Sequence, residues 1–247
     1  MVIIWSILKQ MSVVSLILLV VLTSNIHCIR NITIYNKCTF TIWPGIHGPG
    51  NPANGGFRLD SGQSRDIEVE DAWSRGKIWA RTGCDDEYNC ETGFCRNNVE
   101  CNGSENMPPV SFAQFTLKWN SGPDMYDVSL EEGYNIPVRI EANSHEGCKS
   151  AGGKGCVKDI NAECPDELSV YGRNGNTVAC KSGCLGYNTP EECCRGEYHD
   201  PRKCHITKTS QMFKDACPAT ITYPYDTIDE KTIFKCEPTA KYTVQFC

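Results

Sequence analysis

Apolar and polar residues alternate with a period of two in five stretches of the chain. Ile32 and Ile34 alternate with Thr33 and Tyr35, and Phe40 and Ile42 alternate with Thr39 and Thr41 up to a break at Pro44-Gly45. Phe115, Leu117 and Trp119 alternate with Gln114, Thr116 and Lys118, and Tyr126, Val128 and Leu130 with Asp127 and Ser129. At the far end, Tyr242, Val244 and Phe246 alternate with Thr243 and Gln245. Successive strand side chains point to opposite faces, so this rhythm, carried by β-branched and aromatic residues, predicts half-buried strands. Turn clusters separate them, such as Gly48-Pro49-Gly50-Asn51-Pro52 and Asn54-Gly55-Gly56. Many short strands between such turns predict a β-sandwich or barrel, with the last strand paired into the sheet system of the first.

The segment from Val157 to Cys217 lacks this alternation and is dense in Cys, Gly and charge. Thr189-Pro190-Glu191-Glu192 has the form of a helix start, with Thr as N-cap, Pro at the first helical position and Glu three residues after the cap. Ser210 to Ala216 predicts a short helix that stops before Pro218. Helices this short are marginal alone, which gives cross-links a purpose here. The fold class expected is mainly β: a flattened antiparallel β-sandwich or barrel core, a disulfide-rich lobe carrying short helices, and a second small disulfide-stapled lobe. The core is expected over about 29–81, 109–157 and 218–247, the small lobe over about 82–108 and the cysteine-rich lobe over about 158–217.

Composition changes this picture in one respect. The apolar run Val13 to Leu22, after Lys9, reads as a secretory leader, with residues 1–28 removed after Cys28. Of 17 cysteines, 16 then remain, from Cys38 to Cys247, an even set that in a secreted chain implies eight disulfides. Zinc is disfavoured because no C-x-x-C pair occurs. The neighbours Cys193 and Cys194 are expected to take different partners, since a bond between them strains disulfide geometry; spacing leaves the connectivity open. Asn31-Ile-Thr33 and Asn102-Gly-Ser104 are glycosylation sequons, marking Asn31 and Asn102 as candidate sites. The net charge of −6 becomes −7 without the leader, whose one charged residue is Lys9. An acidic surface disfavours nucleic acid and anionic membranes as partners. The five His show no ligand spacing, and no G-x-S-x-G is present, so no metal, cofactor or Ser nucleophile is expected. The runs Glu68-Val69-Glu70-Asp71 and Asp85-Asp86-Glu87 read as solvated faces, and Trp43 and Trp79 as packing residues.

Specific motifs go further. Trp43-Pro44-Gly45-Ile46, Gly56-Phe57 with Gly62-Gln63-Ser64, Trp79-Ala80-Arg81-Thr82-Gly83-Cys84 and Tyr126-Asp127-Val128-Ser129-Leu130 with Gly133-Tyr134-Asn135 stand in one order along the chain. Ala162-Glu163-Cys164-Pro165, Val178-Ala179-Cys180-Lys181-Ser182-Gly183-Cys184, Asn188-Thr189, Cys193-Cys194 and Phe213-Lys214-Asp215-Ala216-Cys217-Pro218 follow. Together they resemble the thaumatin-like proteins, the pathogenesis-related class 5 family, over the whole chain after residue 28. The resemblance implies the pairs Cys38–Cys247, Cys84–Cys90, Cys95–Cys101, Cys148–Cys236, Cys156–Cys217, Cys164–Cys180, Cys184–Cys193 and Cys194–Cys204. It departs from the family at Cys90-Glu91-Thr92-Gly93-Phe94-Cys95, where Phe94 replaces an Asp.

The resemblance also implies an acidic cleft lined by one Arg, one Glu and three Asp, linked to β-1,3-glucan binding, weak glucanase activity and antifungal action. The three Asp fall on Asp124, Asp127 and Asp226, the Glu on Gln114 and the Arg on about Met107. Glycoside hydrolysis needs a carboxylic acid to protonate the leaving oxygen and a second carboxylate as base or nucleophile. Gln114 keeps the shape and hydrogen-bonding of Glu but cannot give up a proton. Loss of the Arg removes a charge that would hold neighbouring carboxylates ionised. No catalytic residue is therefore assigned; a new pair, for instance Asp124 with Asp226, is the alternative. The function expected is a secreted, monomeric, extracellular defence protein, antifungal, that binds β-1,3-glucan or a related cell-wall polysaccharide without efficient hydrolysis. The alternatives are a weak endo-β-1,3-glucanase and a protein-binding inhibitor of a hydrolase.

Overall fold

The computed structural model of the protein describes residues 29–143, 147–153, 156, 158–227 and 231–247. The leader expected over residues 1–28 lies outside the described residues, as does Val157. The structure is mainly β. A four-stranded sheet has β1 (Ile29–Asn36) flanked by β3 (Ser64–Glu70) and β11 (Lys241–Phe246), with β7 (Val138–Asn143) on the far side of β11. A five-stranded sheet runs β10 (Ile233–Cys236), β6 (Asp124–Ser129), β5 (Phe112–Thr116), β4 (Gly76–Arg81) and β2 (Trp43–His47). Their inner faces share one core. Ile32 and Ile34 of β1 and Tyr242, Val244 and Phe246 of β11 meet Ile78, Ala113, Phe115, Tyr126 and Val128 of the other sheet. The Tyr242 ring lies 5.4 Å from Phe115 and 5.1 Å from Tyr126, within the range of favourable aromatic pairs.

The terminal strands pair as expected, but β1 and β11 run parallel, so this sheet is mixed rather than wholly antiparallel. A parallel pair needs a long connection, and here nearly the whole chain supplies it. Parallel pairing brings both C-terminal strand ends together, where Cys38 joins Cys247 with a Cα–Cα separation of 5.0 Å. Seven further bonds link Cys84–Cys90, Cys95–Cys101, Cys148–Cys236, Cys156–Cys217, Cys164–Cys180, Cys184–Cys193 and Cys194–Cys204.

The structure corrects the reading near Pro44-Gly45. The strand runs through this dipeptide, and the Phe40–Ile42 stretch is a loop with one isolated bridge between Ile42 and Leu59. Pro44 is tolerated because β2 is an edge strand. Gly45 is required because a Cβ there would stand 2.2 Å from the Trp79 ring.

Two appendages grow from the core. In the small one, the buried Arg81 donates to the carbonyls of Trp43, Asn98 and Val99, which ties the segment after β4 back to β2. Burial lowers its pKa to about 10. Within the other, the hairpin β8 (Ser169–Tyr171) and β9 (Thr177–Cys180) precedes helix α1 (Gly183–Tyr187), capped by Ser182. Helix α2 (Lys208–Ala216), capped by Thr207, matches the expected short helix. The expected helix at Thr189 is only a turn. The Thr189 hydroxyl does accept from the Glu192 amide, yet the chain leaves the helical path at Cys194, which has a left-handed backbone. Cys193 and Cys194 are drawn to Cys184 and Cys204, and these bonds prevail over a weak local helix preference.

Candidate functional site

Antiparallel register lines up residues on one face of a sheet. In the five-stranded sheet it sets His47 opposite Lys77, Lys77 opposite Gln114, Gln114 opposite Asp127, and Asp127 opposite Ile233. The adjacent rows, with Ile78, Ala113 and Val128 on one side and Phe115 and Tyr126 on the other, face the core, so this row faces outward. Four strand spacings make it about 19 Å long. It floors a groove of about 720 Å³ that includes His47, Lys77, Glu105, Gln114, Met125 and Asp127. A larger cavity of about 930 Å³, bordered by Phe40 and the half-buried Trp43, shares no lining residue with it. We place the candidate site in the smaller groove because Asp127, which has a buried oxygen without a partner among the described residues, lines it beside Gln114 and Lys77.

Asp127 lies on β6, and Glu131 follows it in the turn from Leu130 to Gly133, closed by the Gly133 amide donating to the Leu130 carbonyl. Asp127 Oδ1 is buried and has no hydrogen-bond partner. Burial, and then the charge of Glu131, push the Asp127 carboxyl up to about 8. Burial also raises the Glu131 carboxyl; a hydrogen bond from the Ser129 hydroxyl opposes this, Glu132 and Asp226 add to it, and Lys77 counters. Glu132 is neutralised: it pairs with Lys77 Nζ at 2.8 Å and accepts from Asn106 Nδ2 at 2.7 Å. The Lys77 ammonium also lies 3.8 Å above the Phe112 ring. At the β2 end, His47 Nε2 is 3.6 Å from Glu105.

The structure brings together only part of the set carried over from the resemblance. Gln114 and Asp127 are cross-strand neighbours in the groove. Asp226 belongs to the turn that follows Ile221, which is bridged to Ser129 of β6. Its carboxylate accepts from the Thr222 amide and hydroxyl and pairs with Lys214 of α2 at 2.5 Å. Asp124 is not in the groove. It is fully buried on the core side, paired with Arg30 at 2.8 Å and accepting from the Tyr242 hydroxyl and the Lys118 amide. Asp124 with Asp226 is therefore not a pair. Met107 is exposed and contributes no cation; the groove's cation in contact with an acid is Lys77, from β4. Sequence reasoning missed Lys77, Glu131, Glu132 and Asn106. Nearness to Asp127 along the chain was a usable signal for Glu131, in the turn that follows β6, whereas nothing local pointed to Lys77 or Asn106.

Of the remaining marked residues, Asn31 lies exposed on β1 and Asn102 is exposed with a left-handed backbone. Trp79 is completely buried and donates to the Gly93 carbonyl. Asp71, at the end of one acidic run, pairs with Lys118, and Asp85, in the other, accepts from the Glu87 and Asn89 amides.

Comparison with known proteins gives a consistent result. The chain is 44% identical over 223 residues to pathogenesis-related thaumatin-like protein 3.5 of Cryptomeria japonica, covering 87% of this chain and 88% of that protein. It is 42% identical over 248 residues to pathogenesis-related protein 5 of Arabidopsis thaliana, covering 97% of this chain and all of the relative. Among solved structures, the laminaripentaose-producing β-1,3-glucanase of glycoside hydrolase family 64 from Paenibacillus barengoltzii shares the fold. Its TM-score is 0.55 at 11% identity, covering 88% of this chain and 74% of that one. The model of the thaumatin family matches residues 36–247, almost the entire described fold, and the chain belongs to that family.

Proposed function

We propose that the protein is an extracellular defence protein that holds a cell-wall polysaccharide, β-1,3-glucan or a related polymer, along the groove of the five-stranded sheet, and does not cleave it efficiently. The observation that carries this reading is the straight row His47–Lys77–Gln114–Asp127–Ile233, with the Gln114 amide at its centre. A row about 19 Å long is on the scale of several sugar rings, and amide, carboxyl and ammonium groups suit hydroxyl recognition. The pathogenesis-related names of the relatives support the defence role. Co-sedimentation with insoluble β-1,3-glucan tests it. The wild-type protein is expected to pellet, and Gln114→Ala with Lys77→Ala to remain in solution; a wild-type protein that never pellets defeats the reading.

One observation favours a second reading, a weak endo-β-1,3-glucanase. A carboxyl held at about 8 is protonated near neutral pH and can act as a general acid, and Glu131 lies beside it. Release of reducing ends from soluble β-1,3-glucan at mildly acidic pH, abolished by Asp127→Asn and by Glu131→Gln, establishes this second reading; no release above background supports the first.

A further inference from the structure

Resting on the polysaccharide-binding reading, the structure assigns to the groove a preference for a polymer that bears ammonium groups, a glucosamine chain, over a neutral glucan. The argument is one of unmatched charge. Glu105 and Asp127 line the groove, and Glu131, Glu132 and Asp226 lie beyond its lining but close enough for their charges to interact; of these five, Glu132 is paired with Lys77 and Asp226 with Lys214. Glu105 stands near the half-exposed imidazole of His47. The other cation of the lining, Arg75, is exposed and lies on the turn before β4.

Asp127 and Glu131 remain. Among the described residues, the Glu131 carboxylate accepts one side-chain hydrogen bond, from the Ser129 hydroxyl at 3.3 Å. Asp127 Oδ1 is buried with no donor among the described residues, although buried polar atoms are nearly always paired. Two adjoining half-buried carboxyls with no cation in direct contact among the described residues, Lys77 acting on Glu131 only from beyond contact, favour taking up a proton or a positive ligand. In the free groove a proton fills this role, as the raised Asp127 carboxyl requires. An amino sugar supplies the alternative: its ammonium sits against the Asp127 carboxylate, donates to it, and the proton that Asp127 carried is released to solvent. A neutral glucan hydroxyl can donate one hydrogen bond but cannot replace the proton's charge. Asp127 lies mid-row, next to Gln114, so the backbone of the same polymer remains in reach of the amide.

The test uses the full chain and three soluble probes of equal length, the glucosamine hexamer, its fully N-acetylated form and laminarihexaose. Titration calorimetry at pH 6 in two buffers of different ionisation enthalpy reads both affinity and proton release. The glucosamine hexamer is expected to bind at least about tenfold more tightly than its N-acetylated form, the scale of one close charge pair, with net proton release. Asp127→Asn is expected to abolish the release and, like Glu131→Gln, to level the affinities, while Glu68→Gln, on the exposed edge of β3, leaves the preference unchanged. Equal affinity of the three probes, or a preference that survives Asp127→Asn and so reflects only net negative charge, overturns the inference and leaves the broader reading standing. Failure of all three probes to bind overturns both.

Discussion

A carboxyl's surroundings decide its role, and three aspartates of this chain show the range. Asp124 has a cation and two further donors, so its charge is held in the core. Asp226 is matched by Lys214 and a turn. Asp127 has an orphaned oxygen and a like charge nearby. Its pKa is raised from 3.8 to about 8, so the folded state binds a proton that the unfolded state has lost. Between those limits stability falls as pH rises, and above about 8 the loss is complete. The melting midpoint of the wild-type protein is therefore expected to drop between pH 5 and pH 8 more steeply than that of Asp127→Asn, by about 10 °C. Parallel melting curves for the two proteins across that range would show that Asp127 is ionised throughout.

At the scale of elements, alternation was a sound guide wherever a strand buries one face. β1, β6 and β11 carry the expected residues inward, and β5 does so at Phe115 but ends at Thr116, short of the expected Leu117 and Trp119. The same parity had an unused message, because Asp124 shares it with Tyr126 and Val128 and so belongs to the core face. Motif matching moved it to the groove; the strand's geometry puts it inside. β2 was hidden because Pro and Gly read as breakers, and only the edge position and the Trp79 ring make them necessary. Gly45→Ala is expected to destabilise the protein by about 2 kcal/mol, since the new methyl displaces a fully buried indole. A chemical-denaturation midpoint equal to that of the wild type would mean that the ring moves aside freely. The turn at Thr189 carries the complementary lesson. A correct capping signal was present, but the divergent bonds of Cys193 and Cys194 cut the helix short.

For the whole molecule, the parallel pairing of the terminal strands and the bond across their ends turn the chain into a closed loop. Restricting the unfolded chain is worth more for longer loops, so the Cys38–Cys247 bond, spanning 209 residues, is expected to contribute about 5 kcal/mol, and Cys84–Cys90, spanning 6, about 2 kcal/mol. Replacing both cysteines of the first pair by serine should therefore lower the thermal midpoint at least twice as far as the same change in the second; equal shifts would contradict this ordering. Local sequence determined the short alternating strands and the even set of cysteines, because side-chain period and thiol number are properties of the chain itself. Tertiary structure alone decided which charges meet. Lys77 and Glu132 are separated by 55 positions and come together only when β4, β5 and β6 pair in register. The same pairing leaves Asp127 Oδ1 without a partner among the described residues, and no inspection of its neighbours in sequence can show that, because the missing donor is a fact about space.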